Sequence, residues 1–472
     1  MSSTRHTGDI TERNISYNVK HGVASVIAAN LASPFFGIFA LKLGASNIQV
    51  ALLSSAPAVV SLLTMIPGAL YVDRFSEKKR VTTMFFLANR VFYLALACVP
   101  FFSPDHRAAA LVAAVALMNL PGAIGNVAWQ AFIAKVIPPT QRDQAFARRN
   151  RWMNLVGTAV VVAAGKALDV MSFPLGYQVM FVLAFAAAII EISIFQRIVE
   201  PQEARPAAPG NGGRAPGSAL GRTGEAGAQR SFVGPRGLRG RIIQLRGGVR
   251  ETVRDILAHP RFVQYTLASV VFYFMWQIAW PLFTLYQVKV LGANNLWVSL
   301  LNLANTGGAL IGYGFWASFA DRHGHMKTLV TSTMGMFFVP VYYALSHSLL
   351  TITVLNLVTG VIFSGVNLAL FNALLEHTPE ERTTTYIAYY NTAITLTSVF
   401  APMAGVGLLK FLSFFWAFLV CALGRVIGCL CFYLVYRRES GTATSRQKTF
   451  LAALRAAALL LLLAMLFRPV RV

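Results

Sequence analysis

Three charged residues stand inside long apolar runs of this 472-residue chain: Arg90, Glu191 and Arg425. A charge surrounded by such a run has lost water as its partner. It must find an opposite charge, a set of backbone carbonyls or a water-filled cavity, and residues of this kind are functional candidates by default. Glu191 has two chemistries open to it, as one half of an ion pair or as a proton carrier. A second group is uncharged. Asn119, Asn126 and Gln130 share one helical face, at i, i+7 and i+11, and Tyr273, Gln277 and Trp280 follow at i, i+4 and i+7 with Trp276 beside them. Asn30, Asn302, Asn305, Asn356, Asn367, Tyr390 and Asn391 complete the set. An amide in an apolar run either bonds a neighbouring helix or faces a polar path, and each residue alone is the more ordinary helix-to-helix bond.

The elements that hold these residues are legible from composition. The chain is 56% hydrophobic and only 12% charged, yet carries 41 Lys+Arg against 18 Asp+Glu. Thirty-four Phe and seven Trp exclude a disordered chain, and four Cys exclude a disulfide scaffold. Runs long enough to cross a bilayer fall near residues 22–42, 49–72, 82–102, 108–133, 153–172 and 176–196 (spans 1 to 6). They resume near 263–288, 296–320, 328–348, 349–374, 386–409 and 411–435 (spans 7 to 12). The expected fold is an all-α polytopic membrane protein, with twelve transmembrane helices in two pseudo-symmetric six-helix bundles. The expected domains are a first bundle over 1–198, a linker over 199–259, a second bundle over 260–440 and a tail over 441–472.

Residues 201–240 hold 10 Gly, 5 Pro and 6 Arg but no Lys, a composition of disordered segments. Residues 241–258 alternate Ile242, Leu245, Val249, Val253 and Ile256 with arginines. That pattern fits a basic amphipathic surface helix or a solvated linker. In the tail, the twelve apolar residues Ala456–Phe467 are too short to span and read as a surface anchor, the alternative for 451–467 being a thirteenth span that would put the C-terminus outside.

Charge location orients the whole. With the N-terminus on the cytoplasmic side, the inner segments hold 34 of the basic residues and the outer segments five: Lys42, Arg107, Lys166, Lys289 and Lys410. Both termini are therefore expected in the cytoplasm, in the inner cell membrane. The two halves are also repeats. Residues 43–53 read LGASNIQVALL and residues 291–301 read LGANNLWVSLL, matching at seven of eleven positions. The same offset of 248 carries Asp73, Arg74 and Lys79 onto Asp321, Arg322 and Lys327. Parallel repeats related by an axis along the membrane normal are a transporter architecture.

At these loops the sequence resembles the major facilitator superfamily, whose loop after helix 2 reads G-x-x-x-D-R-x-G-R-[KR] and is often echoed after helix 8. Each Asp-Arg is present here. Ala69 and Ala317 replace the leading Gly, Ser76 replaces the second Gly of the first copy, and Gly324 keeps it in the second. The resemblance implies that Asp73, Arg74, Lys79, Asp321, Arg322, Gly324 and Lys327 form cytoplasmic gating loops. It implies that spans 1, 4, 7 and 10 line the substrate path, and so it gathers Asn30, Asn126, Gln130, Tyr273, Trp276, Gln277, Asn356 and Asn367 there. Spans 8 and 11 add Asn302, Asn305, Tyr390 and Asn391. It also sets spans 3 and 6 side by side at the periphery, where Arg90 and Glu191 would pair as a structural bridge. The lining spans hold no carboxylate except Glu376, so the expected cavity is neutral, amide-rich and aromatic.

No phosphate-binding loop followed by Lys is present, so ATP-driven transport within this chain is not expected. His323 and His325 lack further ligands, no cofactor or metal is expected, and Cys98, Cys421, Cys429 and Cys431 read as small apolar residues. The implied protein is not an enzyme but a monomeric secondary transporter of a small organic solute. Its partners are that solute, membrane lipid and a coupling proton or other ion, not nucleic acid. Export is the favoured direction. A lipid flippase and a non-transporting sensor on the same scaffold are the alternatives.

Overall fold

The computed structural model describes residues 2–73, 75, 77–199, 255–379 and 383–440. The arginine-rich linker with its amphipathic stretch, the apolar tail segment 451–467, and Arg74 and Ser76 of the first loop lie outside the described residues. So does the Asp73 side chain.

All described secondary structure is helical. Span 1 runs Ser2–Asn30, breaks at a tight turn over Ser33–Phe35 that contains Pro34, and resumes as Phe36–Lys42. Spans 2 to 6 are Asn47–Asp73, Lys78–Cys98, Pro104–Val136, Pro139–Val170 and Leu175–Phe195. Span 7 is Pro260–Gln277 and Trp280–Leu285, ending in one wide helical turn over Tyr286–Val290. Span 8 is Asn295–His323, span 9 is His325–Gly335 and Phe338–Leu345, and spans 10 to 12 are Leu349–Glu376, Thr383–Leu408 and Phe414–Ser440. Among the described residues, eleven of these twelve are long and apolar enough to cross a membrane. Span 8 has the length, at 29 residues, and is the more polar one, holding Asn302 and Asn305. Leu63, Leu155, Leu310, Ile311 and Phe315 are exposed side chains of the kind a bilayer would cover.

The halves repeat in space as they do in sequence. In the first, span 1 packs on spans 5 and 6, span 4 on spans 2 and 3, and span 3 on span 6. In the second, span 7 packs on spans 11 and 12, span 10 on spans 8 and 9, and span 9 on span 12. Gly44 and Gly292, equivalent in the repeat, both have positive φ (85° and 66°) where one span ends and the next begins. An L-residue with a Cβ is strained there, so the shared glycine is a requirement of the same tight turn. The halves meet where span 2 packs on span 11 and span 5 on span 8.

Two further features bear on how the helices are held. Helix begins at Ser2, twenty residues before the first apolar run, and Asn14, Asn18 and His21 on it are buried. Asn14 exchanges two hydrogen bonds with the backbone of Val199, at 2.9 and 3.0 Å, which satisfies its amide and moors the polar turn to the end of span 6. Spans 8 and 10 approach through glycines: a Cβ on Gly360 would stand 2.0 Å from the Asn305 carbonyl oxygen, and one on Gly308 1.9 Å from that of Leu357. This is the small-residue packing of membrane helices.

A charged cavity in the first half

The Arg90–Glu191 contact exists. The guanidinium Nη2 lies 2.9 Å from Glu191 Oε1, and the carboxylate is fully buried. It does not stand at the periphery. His21 Nε2 of span 1 lies 3.4 Å from the same carboxylate, and all three residues line a cavity of 570 Å³ enclosed by spans 1 to 6. Arg90 Nη1 also donates to Asn89 Oδ1 at 3.1 Å, and Asn89 Nδ2 donates to the Met118 carbonyl at 2.6 Å, fixing span 3 against span 4.

Arg149 of span 5 faces the same cavity, with its Cζ 5.0 Å over the Trp129 ring. The site is therefore not neutral. It holds two guanidiniums, one carboxylate and one imidazole, because spans 3, 5 and 6 contribute as well as spans 1 and 4. Several polar atoms there are buried and lack a hydrogen bond: both nitrogens of His21, Nε of Arg90 and of Arg149, Nε1 of Trp129 and Oε2 of Glu191.

Sequence reasoning missed His21 and Arg149. Arg149 sits in the run Arg148-Arg149-Asn150-Arg151 and reads as a basic loop. The signal was the i+4 stripe Ala145, Arg149, Met153, Gly157, Val161, in which the arginine is one turn from the first apolar member of span 5. His21 likewise continues the stripe Asn14, Asn18, His21, Ser25.

The amides divide. Asn126 lines the charged cavity, as does Asn119, whose Nδ2 donates to Val115 O. Asn30 Nδ2 donates to Gly157 O at 2.9 Å, tying span 1 to span 5 while bordering a smaller cavity of 260 Å³ between the halves, which Asn302 also lines. Gln130 and Asn391 are exposed, and Asn305 and Asn367 are half-buried. Trp276 and Gln277, expected on a path, are buried instead. Trp276 packs among Phe272, Tyr273 and Phe363, and Gln277 accepts from Thr397 Oγ1 at 3.2 Å, joining span 7 to span 11. Asn356 is buried too and accepts from Tyr342 OH at 3.4 Å, joining spans 9 and 10. Tyr390 stacks on Tyr265 at 6.0 Å, inside the core of the second half. An amide in an apolar bundle is satisfied most cheaply by the next helix, and Gln277 and Asn356 do that.

Arg425 is fully buried with no carboxylate within 4.0 Å among the described residues. Its Nη1 donates to Met336 O at 2.8 Å and its Nη2 to Trp276 O at 3.5 Å. Met336 lies in the break of span 9, and Trp276 just before the break of span 7. A helix break frees carbonyls, and the guanidinium supplies donors to two of them.

In the loops, Lys79 Nζ donates to the carbonyls of Gln196 and Ile198, at 2.7 and 2.8 Å, capping the end of span 6 within the same half. Asp321 and Arg322 are exposed, Gly324 (φ 80°) ends span 8, and Lys327 Nζ lies 6.0 Å over the Phe319 ring. At the opposite ends of the spans, hydrogen bonds cross between the halves. Asp169 at the end of span 5 accepts from the backbone N–H of Asn295 (3.0 Å) and Leu296 (2.8 Å) and from Asn295 Nδ2 (2.9 Å), at the N-terminus of span 8. Tyr177 OH donates to Asn295 Oδ1 at 2.6 Å, Ser299 Oγ to Val161 O at 2.8 Å, and Lys289 Nζ to Asn47 Oδ1 at 2.8 Å.

The sequence matches the Major Facilitator Superfamily over residues 22–263 and 265–470. A comparison with curated proteins finds no match. Similar solved structures include a bacterial homolog of the human lysosomal transporter Spinster in an inward-facing, unoccupied conformation (TM-score 0.58, 13% identity, covering 91% of this chain and 97% of that one). The nucleoside transporter NupG, as a point mutant, gives 0.60 at 10% identity, covering 89% and 100%. A D-xylose–proton symporter gives 0.59 at 11%, covering 90% and 96%. At these identities the likeness is one of fold.

Proposed function

Because this chain belongs to the Major Facilitator Superfamily, we propose that it carries a small organic solute across the cytoplasmic membrane by alternating access. Both termini, the linker and the tail are cytoplasmic in this reading, and the present conformation is the one open to the cytoplasm. The observation that carries it is the location of the bonds between halves. Asp169–Asn295, Asp169–Leu296, Tyr177–Asn295 and Lys289–Asn47 all join ends remote from the basic loops. Under the positive-inside rule those ends are external. Two rigid halves that meet at one end and rock about a central site are what alternating access requires. The inward-facing conformation of the Spinster homolog supports the same reading.

Side-specific cysteine labelling tests it. In a background freed of its four cysteines, Asn126→Cys reports on the charged cavity and Phe411→Cys on an external loop. A membrane-impermeant maleimide is expected to reach position 126 only in inverted vesicles and position 411 only in right-side-out ones. Labelling of position 126 from outside alone would overturn the assigned conformation, and labelling of 411 from inside the orientation.

A further inference from the structure

The cavity of the first half carries an unmatched charge. Arg90 and Glu191 neutralise each other at 2.9 Å, and His21 Nε2 lies 3.4 Å from Glu191 Oε1. Arg149 has no carboxylate within 4.0 Å among the described residues, whereas its neighbour Arg148 pairs with Glu12 at 3.1 Å on the surface. The guanidinium of Arg149 is held by stacking on Trp129, at 5.0 Å. That contact fixes its position and leaves its hydrogen-bonding edge unused.

Among the unsatisfied atoms, which include Oε2 of Glu191 and both nitrogens of His21, three are pure donors. Nε of Arg149, Nε of Arg90 and Nε1 of Trp129 are all donors, all buried and all without acceptors. Buried donors in an apolar bundle cost free energy unless something accepts from them. An oxyanion would both supply acceptors and neutralise Arg149. A cation would meet Arg149 and find the Glu191 carboxylate already paired with Arg90 at 2.9 Å, so the same geometry disfavours it. The remaining wall mixes apolar side chains, among them Phe86 and Met118, with the hydroxyls of Ser25 and Ser61 and the amides of Asn119 and Asn126. A volume of 570 Å³ falls in the range of organic-ligand pockets and is far larger than an inorganic ion needs.

We propose that this cavity binds an organic oxyanion, a carboxylate or phosphate monoester on an apolar or aromatic body. The side chain of Arg149 and the Trp129 N–H hold the anionic group, and spans 3 and 4 hold the body. The proposal rests on the transporter reading and names its solute class. Arg149 acts as a fork, presenting two parallel donors to the anion, which a lysine cannot reproduce.

The test is binding to the purified full-length protein in detergent, read as ligand-dependent thermal stabilisation, which requires no flux. The probes are indole-3-acetate, decanoate and phenyl phosphate, each against its uncharged counterpart (indole-3-acetamide, decanamide, phenol) at constant ionic strength. At least one anion is expected to stabilise the protein while its counterpart does not. The carboxylate and phosphate arms identify which head group fits. Arg149→Gln is expected to weaken that anion roughly 10- to 100-fold, Arg149→Lys less, and Arg148→Gln not at all. If Arg149→Gln does not fold, Trp129→Phe removes the neighbouring N–H while keeping an aromatic ring under Arg149, and is expected to weaken binding severalfold. Equal stabilisation by acid and amide, unchanged affinity in Arg149→Gln or in its substitute, or no stabilisation by any anion at 5 mM would each overturn the proposal. Anion binding without flux in proteoliposomes would instead refute the transporter reading and leave the site standing.

Discussion

Asp169 is the sharpest test of the closed end. Its carboxylate accepts three hydrogen bonds at the N-terminus of span 8, two from backbone N–H groups and one from Asn295 Nδ2, at 2.8 to 3.0 Å. Each bond to a charged acceptor contributes up to about 1.5–3 kcal/mol where water is excluded. Asp169 is exposed, so water competes for it and the three together are worth about 2–3 kcal/mol, including the favourable position at a helix N-terminus. All of that is lost when the halves part. Asp169→Ala is therefore expected to shift the equilibrium between states by about 30- to 150-fold toward opening at this end. If the parent holds the closed state near 99:1, the two states approach parity. Asp169→Asn keeps an acceptor oxygen and should shift it less. The assay is a pulsed spin-label distance between Phe102→Cys and Phe411→Cys, exposed positions of opposite halves near this end. The parent should show one short distance, and Asp169→Ala a second, longer one. An unchanged distribution in Asp169→Ala would show that the cap does not hold the halves together, and the reasoning would fall with it.

Three further outcomes follow from packing. Gly360→Ala places a methyl against the Asn305 carbonyl and should cost about 1–3 kcal/mol, a fall of several degrees in Tm. Gly314→Ala, in the same pair of helices but with open space around it, should cost nothing comparable, and equal effects would contradict the packing. Arg425→Met strips the donors from Met336 O and Trp276 O and should destabilise by about 1–3 kcal/mol, measured by thermal unfolding in detergent. An unchanged Tm would show that those carbonyls need no partner. Glu191→Gln and Arg90→Gln each leave one charge buried alone and should cost about 3–5 kcal/mol, while the double variant recovers much of that loss. Strictly additive losses would show that the two side chains do not interact.

The architecture was legible because a bilayer imposes coarse rules. Hydrophobic length located the spans, and an offset of 248 carried one glycine turn onto its twin, Gly44 onto Gly292. These signals are one-dimensional, since each depends on what lies within a run and not on what faces it. The Arg90–Glu191 contact was also within reach, because the family resemblance sets spans 3 and 6 side by side and few charges stand inside the runs.

Which polar residues share a space was beyond one-dimensional reading. Arg148 and Arg149 are adjacent and chemically identical, yet a 100° turn of one helix sends the first to Glu12 on the surface and the second onto Trp129 in the cavity. Trp276 and Asn126 both fit an aromatic, amide-rich path by type, and only the second lines the cavity. Arg425 reads as a functional charge until the breaks in spans 7 and 9 supply the carbonyls that explain it. The amino-acid sequence determined that this protein crosses a membrane as two like halves, because burying apolar length is additive along the chain. Tertiary structure decided the charged cavity and the closed end, because the partner of a buried polar atom is set by helix rotation and packing across residues as distant as Asp169 and Asn295.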